Sequence, residues 1–144
     1  MHLNLKKMLR PVVVLLAALL MLSGCEPPPY TNINNEELKE LLAKGVPLFD
    51  VRRPDEWKQT GVVEGSKLLT YVNGQGRIMN NFVPRFTAQV KPEQPVIVIC
   101  RTGNRTSHLA KQLMEKLGYQ KVYNVRAGIT NWIKARNPVV RAKL

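Results

Sequence analysis

Residues Pro95 to Ala110 read PVIVICRTGNRTSHLA, and this stretch decides the fold. Val96, Ile97, Val98 and Ile99 follow one another without a polar residue between them. That is the pattern of a strand buried on both faces in a parallel sheet. The run ends at Cys100 and passes into the polar turn Arg101 to Arg105. From Asn104 onward Leu109, Ala110, Leu113, Met114 and Leu117 recur at three- and four-residue intervals, predicting a helix that stops at Gly118. Cys100 is therefore expected at the carboxyl end of a central parallel strand, a few residues before a helix N-terminus, where open α/β sheets hold their ligands.

The chemistry expected at such a place follows from the residues. Backbone N–H groups of the turn can converge above the strand end, and the helix adds the positive end of its dipole. Arg101 and Arg105 add two cations. A thiol there is expected to ionise readily and to meet an anionic substrate. The plainer alternative is a buried structural cysteine that closes a strand, which gains nothing from two arginines and a glycine.

Three segments in order, LFDVRRPDEW (48–57), CRTGNRTS (100–107) and GYQKVYNVRAGITNW (118–132), resemble a single-domain rhodanese. This is the sulfurtransferase family whose active-site cysteine carries a persulfide. The resemblance spans Asn35 to Trp132 and implies an α/β fold, an open and mainly parallel sheet with helices on both faces, over residues 34–136. It implies Cys100 as the catalytic residue, Arg101, Thr102, Gly103, Asn104 and Arg105 as the loop that binds the donor, and Asp50 and Arg52 as structural support. Two stretches depart from the family pattern. GVVEGS (61–66) stands where many relatives have Gly-His-Ile-x-Gly-Ala, and residues 71–90 match no family segment.

The implied mechanism is attack by the Cys100 thiolate on the outer sulfur of thiosulfate or a related small anionic donor, followed by transfer to a thiol or protein acceptor. No metal or cofactor is required for that chemistry. Two other readings stay open: a non-catalytic module that carries sulfur or binds a partner, and a cysteine-dependent phosphatase or arsenate reductase. Such phosphatases typically place five residues between cysteine and arginine, whereas four separate Cys100 from Arg105. A Cys-His hydrolase is disfavoured, since His108 follows the loop by about a turn and no carboxylate in sequence obviously orients it. His108 is read as a helix-surface residue.

The chain of 144 residues has room for one domain. Residues 1–24 differ in kind from the rest: Lys6, Lys7 and Arg10 precede an apolar run from Pro11 to Leu22, then Ser23, Gly24 and Cys25. The order of parts is that of a signal peptide, and the apolar run is too short to span a bilayer. Leu22 to Cys25 resembles the bacterial lipobox, implying a lipidated Cys25, an exported chain, and a domain held on a membrane surface in the periplasm or outside the cell. Cys100 is then the one remaining thiol, so neither a disulfide within the chain nor a thiolate zinc cluster is expected. Three of the 22 basic residues leave with the signal, so 19 face 10 acids. Such a balance favours anionic substrates and anionic lipid. Nucleic acid is not expected, because interleaved aromatics are lacking.

In the mature chain, residues 25–33 are read as a linker whose EPPPY segment extends away from the anchor. Asn34 or Asn35 is expected to cap a helix that Gly45 ends, with Val46 to Val51 as the first buried strand. Pro54 to Lys58 reads as a helical turn, and Val62 to Leu69 as a short strand. Ile78, Phe82, Phe86 and Val90 have helical spacing that Pro84 interrupts; Phe82 and Phe86 are read as a core stripe, with rim contacts to an acceptor protein as the alternative. Val122 to Val125 is the expected last strand and Gly128 to Ala135 the last helix. Residues 137–144 read as a basic, solvated tail that can lie on anionic lipid.

Overall fold

In the computed structural model of the protein, residues 26–144 are described; the expected signal segment and Cys25 lie outside the described residues. The elements in chain order are β1 (Thr31–Ile33), α1 (Asn35–Ala43), β2 (Leu48–Asp50), α2 (Pro54–Thr60), β3 (Lys67–Leu68), α3 (Phe82–Thr87), β4 (Val96–Ile99), α4 (Asn104–Leu117), β5 (Val122–Val125) and α5 (Gly128–Lys134). The strands form one sheet in the order β1-β5-β4-β2-β3. Every neighbouring pair is parallel.

β4 lies at the centre, between β2 and β5. Because successive side chains leave a strand on opposite faces, Val96, Val98 and Cys100 enter one core with Phe49, Phe82, Phe86 and Leu113. Ile97 and Ile99 enter the other with Leu38, Leu48, Ile129 and Trp132. α3 and α4 thus cover one face and α1 and α5 the other, which is why the run 96–99 carries no polar position.

Local signals set the ends of the helices. The Asn34 carboxamide oxygen accepts the Glu36 and Glu37 N–H groups at 2.9 and 3.0 Å, and the Glu37 carboxylate accepts the Asn34 N–H at 2.8 Å. This capping box selects Asn34 over Asn35 as the cap. Pro84 does not break α3, because it stands in the first turn, where its missing N–H has no intrahelical partner to lose. Phe82 and Phe86 are both fully buried, so the stripe is core.

Three expectations change. Residues 31–33 are not linker but the edge strand β1, held to β5 by pairing of Thr31, Asn32 and Ile33 with Tyr123, Asn124 and Val125. Within 62–69 only Lys67 and Leu68 join the sheet. Glu26 to Tyr30 lines a groove with Ser107, His108, Lys111 and Glu115 of α4, and Tyr30 packs on the core. The tail is not solvated throughout. Val140 pairs antiparallel with Val62 through bonds of 2.9 and 2.8 Å, and Trp132 Nε1–H donates to the Pro138 carbonyl at 2.8 Å. The Val62 and Val140 bonds pair backbone groups just beyond α2, and the Pro138 carbonyl gives the buried Trp132 indole N–H its acceptor.

Candidate active site

β4 delivers Cys100 to the C-terminal edge of the sheet, and α4 begins at Asn104. Two glycines set the path between them. Gly103 has φ +90°, a left-handed conformation, and a Cβ there would run into the Arg126 carbonyl. At Gly128, with φ +58°, an added Cβ would run into the carbonyls of Cys100 and Arg101. The first amides of α5 bind the same two carbonyls: Ile129 N–H donates to Cys100 at 2.9 Å and Thr130 N–H to Arg101 at 3.1 Å. With those carbonyls turned to α5, trans peptide geometry turns the N–H groups of Arg101 and Thr102 the other way.

The Cys100 sulfur accepts the Gly103 N–H at 3.2 Å and stands 3.4 Å from the Thr106 hydroxyl. That hydroxyl also lies 3.1 Å from the Gly103 carbonyl, so its one hydrogen is shared. Cys100 is only 1% exposed, and its underside belongs to the core cluster of Val98, Leu109 and Ala110. Its sulfur nevertheless faces two donors rather than hydrocarbon alone. The loop rim is open: Arg101, Thr102 and Asn104 are exposed, while Gly103 and Thr106 are buried.

The terminal nitrogens of Arg105 bind the two Glu56 oxygens, at 2.8 and 2.7 Å. Glu56 also accepts the Arg53 N–H at 3.1 Å. Burial pushes the Glu56 carboxyl up, but the bonds from Arg105 and Arg53 and the charges of both outweigh it and hold it at about 2. Arg105 in turn is raised above the usual guanidinium value by its bond to Glu56.

Glu56 is itself fixed through α2. Asp50 and Arg52, 0% and 1% exposed, form a buried ion pair at 2.7 Å. Arg52 also binds the Glu56 carbonyl, the Thr60 hydroxyl and the Gly61 carbonyl, at 3.3, 2.8 and 2.9 Å, and Trp57 Nε1–H donates to Asp50 at 3.0 Å. Asp50 and Arg52 thus bolt α2 to the end of β2, and α2 holds Glu56 against the loop. A buried pair of this kind is tolerated because each partner is saturated with hydrogen bonds.

Three site residues were not foreseen. Glu56 had a local signal, since it stands three residues after Arg53 at the start of a helix with proline first, the spacing of a capping box; its link to Arg105 had none. Thr106 sits one turn into α4, where a threonine most often serves the helix itself. Gly128 read only as the start of a helix. His108 is exposed on α4, as expected.

Residues 34–135 match the family described as rhodanese-like domain. A thiosulfate sulfurtransferase GlpE of Tolumonas auensis is 31% identical over 104 residues, covering 72% of this chain and 88% of that protein. Thiosulfate sulfurtransferase 18 of Arabidopsis thaliana is 29% identical over 122 residues, covering 81% of this chain and 88% of that protein. Among solved structures, a rhodanese-related protein of Thermoplasma volcanium aligns with a TM-score of 0.60 at 28% identity, over 78% of this chain and 100% of that one. The polysulfide-sulfur transferase homodimer of Wolinella succinogenes aligns with a TM-score of 0.62 at 26% identity, over 78% and 79%.

Proposed function

Because the chain belongs to the rhodanese-like domain family, we propose that it is a sulfurtransferase which carries a sulfane sulfur on Cys100 from thiosulfate or a similar donor to a thiophilic acceptor. The observation that carries this reading is the pair of donors on the sulfur, Gly103 N–H and the Thr106 hydroxyl. They stabilise negative charge on a sulfur at this position, as an oxyanion hole stabilises an oxyanion.

In the first half-reaction the Cys100 thiolate attacks the outer sulfur of thiosulfate. The S–S bond of the donor breaks, sulfite leaves with the electron pair, and Cys100 becomes a persulfide anion. Exposed Arg101 meets the donor oxygens at the rim. Arg105, held by Glu56, keeps a fixed positive charge in the loop. In the second half-reaction an anionic acceptor takes the outer sulfur and Cys100 leaves as thiolate, so neither half needs a base at the enzyme.

A phosphatase reading is weaker. Four residues, not five, separate Cys100 from Arg105, and the Arg105 terminal nitrogens are engaged by Glu56 rather than open to a tetrahedral oxyanion. Initial rates with thiosulfate and cyanide test the function: parallel double-reciprocal lines, lost in Cys100→Ser, are expected, and intersecting lines would overturn the persulfide route. A sulfur carrier with negligible turnover would instead load once and not cycle.

We also propose that Cys25 is the lipidated N-terminus of an exported, membrane-held protein. The lipobox-like Leu22 to Cys25 supports this. The mass of the N-terminal peptide from membrane-extracted protein tests it, with an unmodified or uncleaved peptide as the contrary result.

A further inference from the structure

The chain leaves α5 as a strap that hydrogen bonds pin to the rest of the domain. Asn137 N–H donates to the Trp132 carbonyl at 3.1 Å, Trp132 Nε1–H donates to the Pro138 carbonyl at 2.8 Å, and Val140 exchanges two backbone bonds with Val62. The strap is therefore held without burying most of its own side chains. Ile133, Val139, Val140 and Leu144 are exposed, four of the six large apolar side chains that stand open among the described residues. Lys134, Arg136, Arg141 and Lys143 are interspersed with them, all exposed and none in an ion pair among the described residues. No acidic residue follows Glu115 in the sequence, so no side chain within the strip offsets these charges.

Exposed cations alone suit any polyanion, and the apolar neighbours narrow the choice. Single-stranded nucleic acid stacks its bases on aromatic rings, and residues 133–144 hold none. A duplex backbone takes the cations but gives isoleucine, valine and leucine nothing to enter. A bilayer with anionic headgroups satisfies both kinds of side chain: its phosphates meet the lysines and arginines, and the branched side chains enter the boundary between headgroups and acyl chains. Each cation near such a surface strengthens the contact about five-fold.

We propose that the strip from Ile133 to Leu144 is a docking surface for an anionic phospholipid bilayer. α5 begins at the Cys100 and Arg101 carbonyls, which accept the Ile129 and Thr130 N–H groups, and the strap leaves its other end. The loop and the strap thus stand at opposite ends of one helix. A domain docked through the strip keeps Arg101 and the rest of the loop rim turned to water, open to soluble donors. The inference stands apart from the sulfurtransferase reading and needs no lipid on Cys25; a lipid there would add to it.

The experiment mixes the full chain with vesicles of phosphatidylcholine alone or of phosphatidylcholine with phosphatidylglycerol, and reads lysine acetylation rates by peptide mass. Lys134 and Lys143 are expected to react about five-fold more slowly on the mixed vesicles. Lys111, on the helix that covers the opposite face of the sheet, keeps its rate, and so does Arg101 read with phenylglyoxal. Arg141→Glu and Leu144→Gln, both at exposed positions, are each expected to remove at least about half of the protection at Lys134. Equal rates at Lys134 and Lys143 on the two kinds of vesicle would overturn the proposal, as would equal slowing of Lys111, the mark of a basic chain attracted without a preferred face. Protection undiminished in both variants, slowing at Arg101, or stronger protection by an oligonucleotide than by the mixed vesicles would overturn it as well.

Discussion

Arg105 and Glu56, 49 residues apart in the chain, meet through two parallel N–H···O bonds of 2.8 and 2.7 Å, a fork-to-fork pair between the Cys100–Arg105 loop and α2. The side chains are 22% and 10% exposed, so water screens the pair only in part. It makes Glu56 a positioning residue: it sets where the loop's second arginine stands without touching the sulfur. Glu56→Gln is expected to lower kcat/KM for thiosulfate by about ten-fold, the weight of one charge-assisted bond. Glu56→Asp should recover part of that loss if the shorter carboxylate still reaches the guanidinium. Equal activity in Glu56→Gln and the parent would show that Arg105 needs no such hold.

The same carboxylate makes stability depend on acid. Glu56 is held at about 2 in the folded protein, against 4.5 ordinarily, so between these values the unfolded chain binds more protons than the native one. Stability from the pair is complete above about pH 5 and is lost as pH falls toward 2, by at most about 3 kcal/mol. Urea midpoints at pH 6 and pH 3 check this. The parent should lose more than Glu56→Gln over that interval, and parallel losses would contradict it.

Gly103 and Gly118 both have positive φ, but only Gly103 has a carbonyl, that of Arg126, where its Cβ would be; around Gly118 nothing lies within 4 Å. Gly118→Ala therefore should cost only the backbone strain, about 1 kcal/mol. Gly103→Ala should cost at least about 2 kcal/mol more and abolish sulfur loading, because the loop must move off Arg126. Thermal melting and loading assays on the two variants decide it, and similar behaviour of both would contradict the close approach.

Thr106→Val removes the hydroxyl near Sγ and keeps the side-chain shape. The expected result is about a ten-fold slower loading from thiosulfate with melting close to that of the parent, matching one lost hydrogen bond to developing charge. Thr106→Ser should restore most of the rate. If Val and Ser variants load alike, the hydroxyl serves the Gly103 carbonyl and not the sulfur.

The central strand, loop and helix were legible because their signals are local: four β-branched residues, a glycine in the turn, and a three-four spacing that closes at Gly118. β1 was not legible, since of Thr31, Asn32 and Ile33 only Ile33 is apolar and buried, and an edge strand so short shows no period. The bridge from Val140 to Val62 was hidden for another reason: its bonds are backbone to backbone, which any residue but proline can make. Cys100, Arg101 and Gly103 could be singled out from their own neighbourhood. The Glu56 to Arg105 pair could not, because no local rule says which of 22 basic residues a buried acid will meet.

The most direct measurement is the mass of the intact protein after brief exposure to thiosulfate and removal of excess donor. The account predicts a gain of one sulfur atom per chain, reversed by cyanide and absent in Cys100→Ser. A parent whose mass does not change, or a Cys100→Ser variant that gains the sulfur as the parent does, would contradict it.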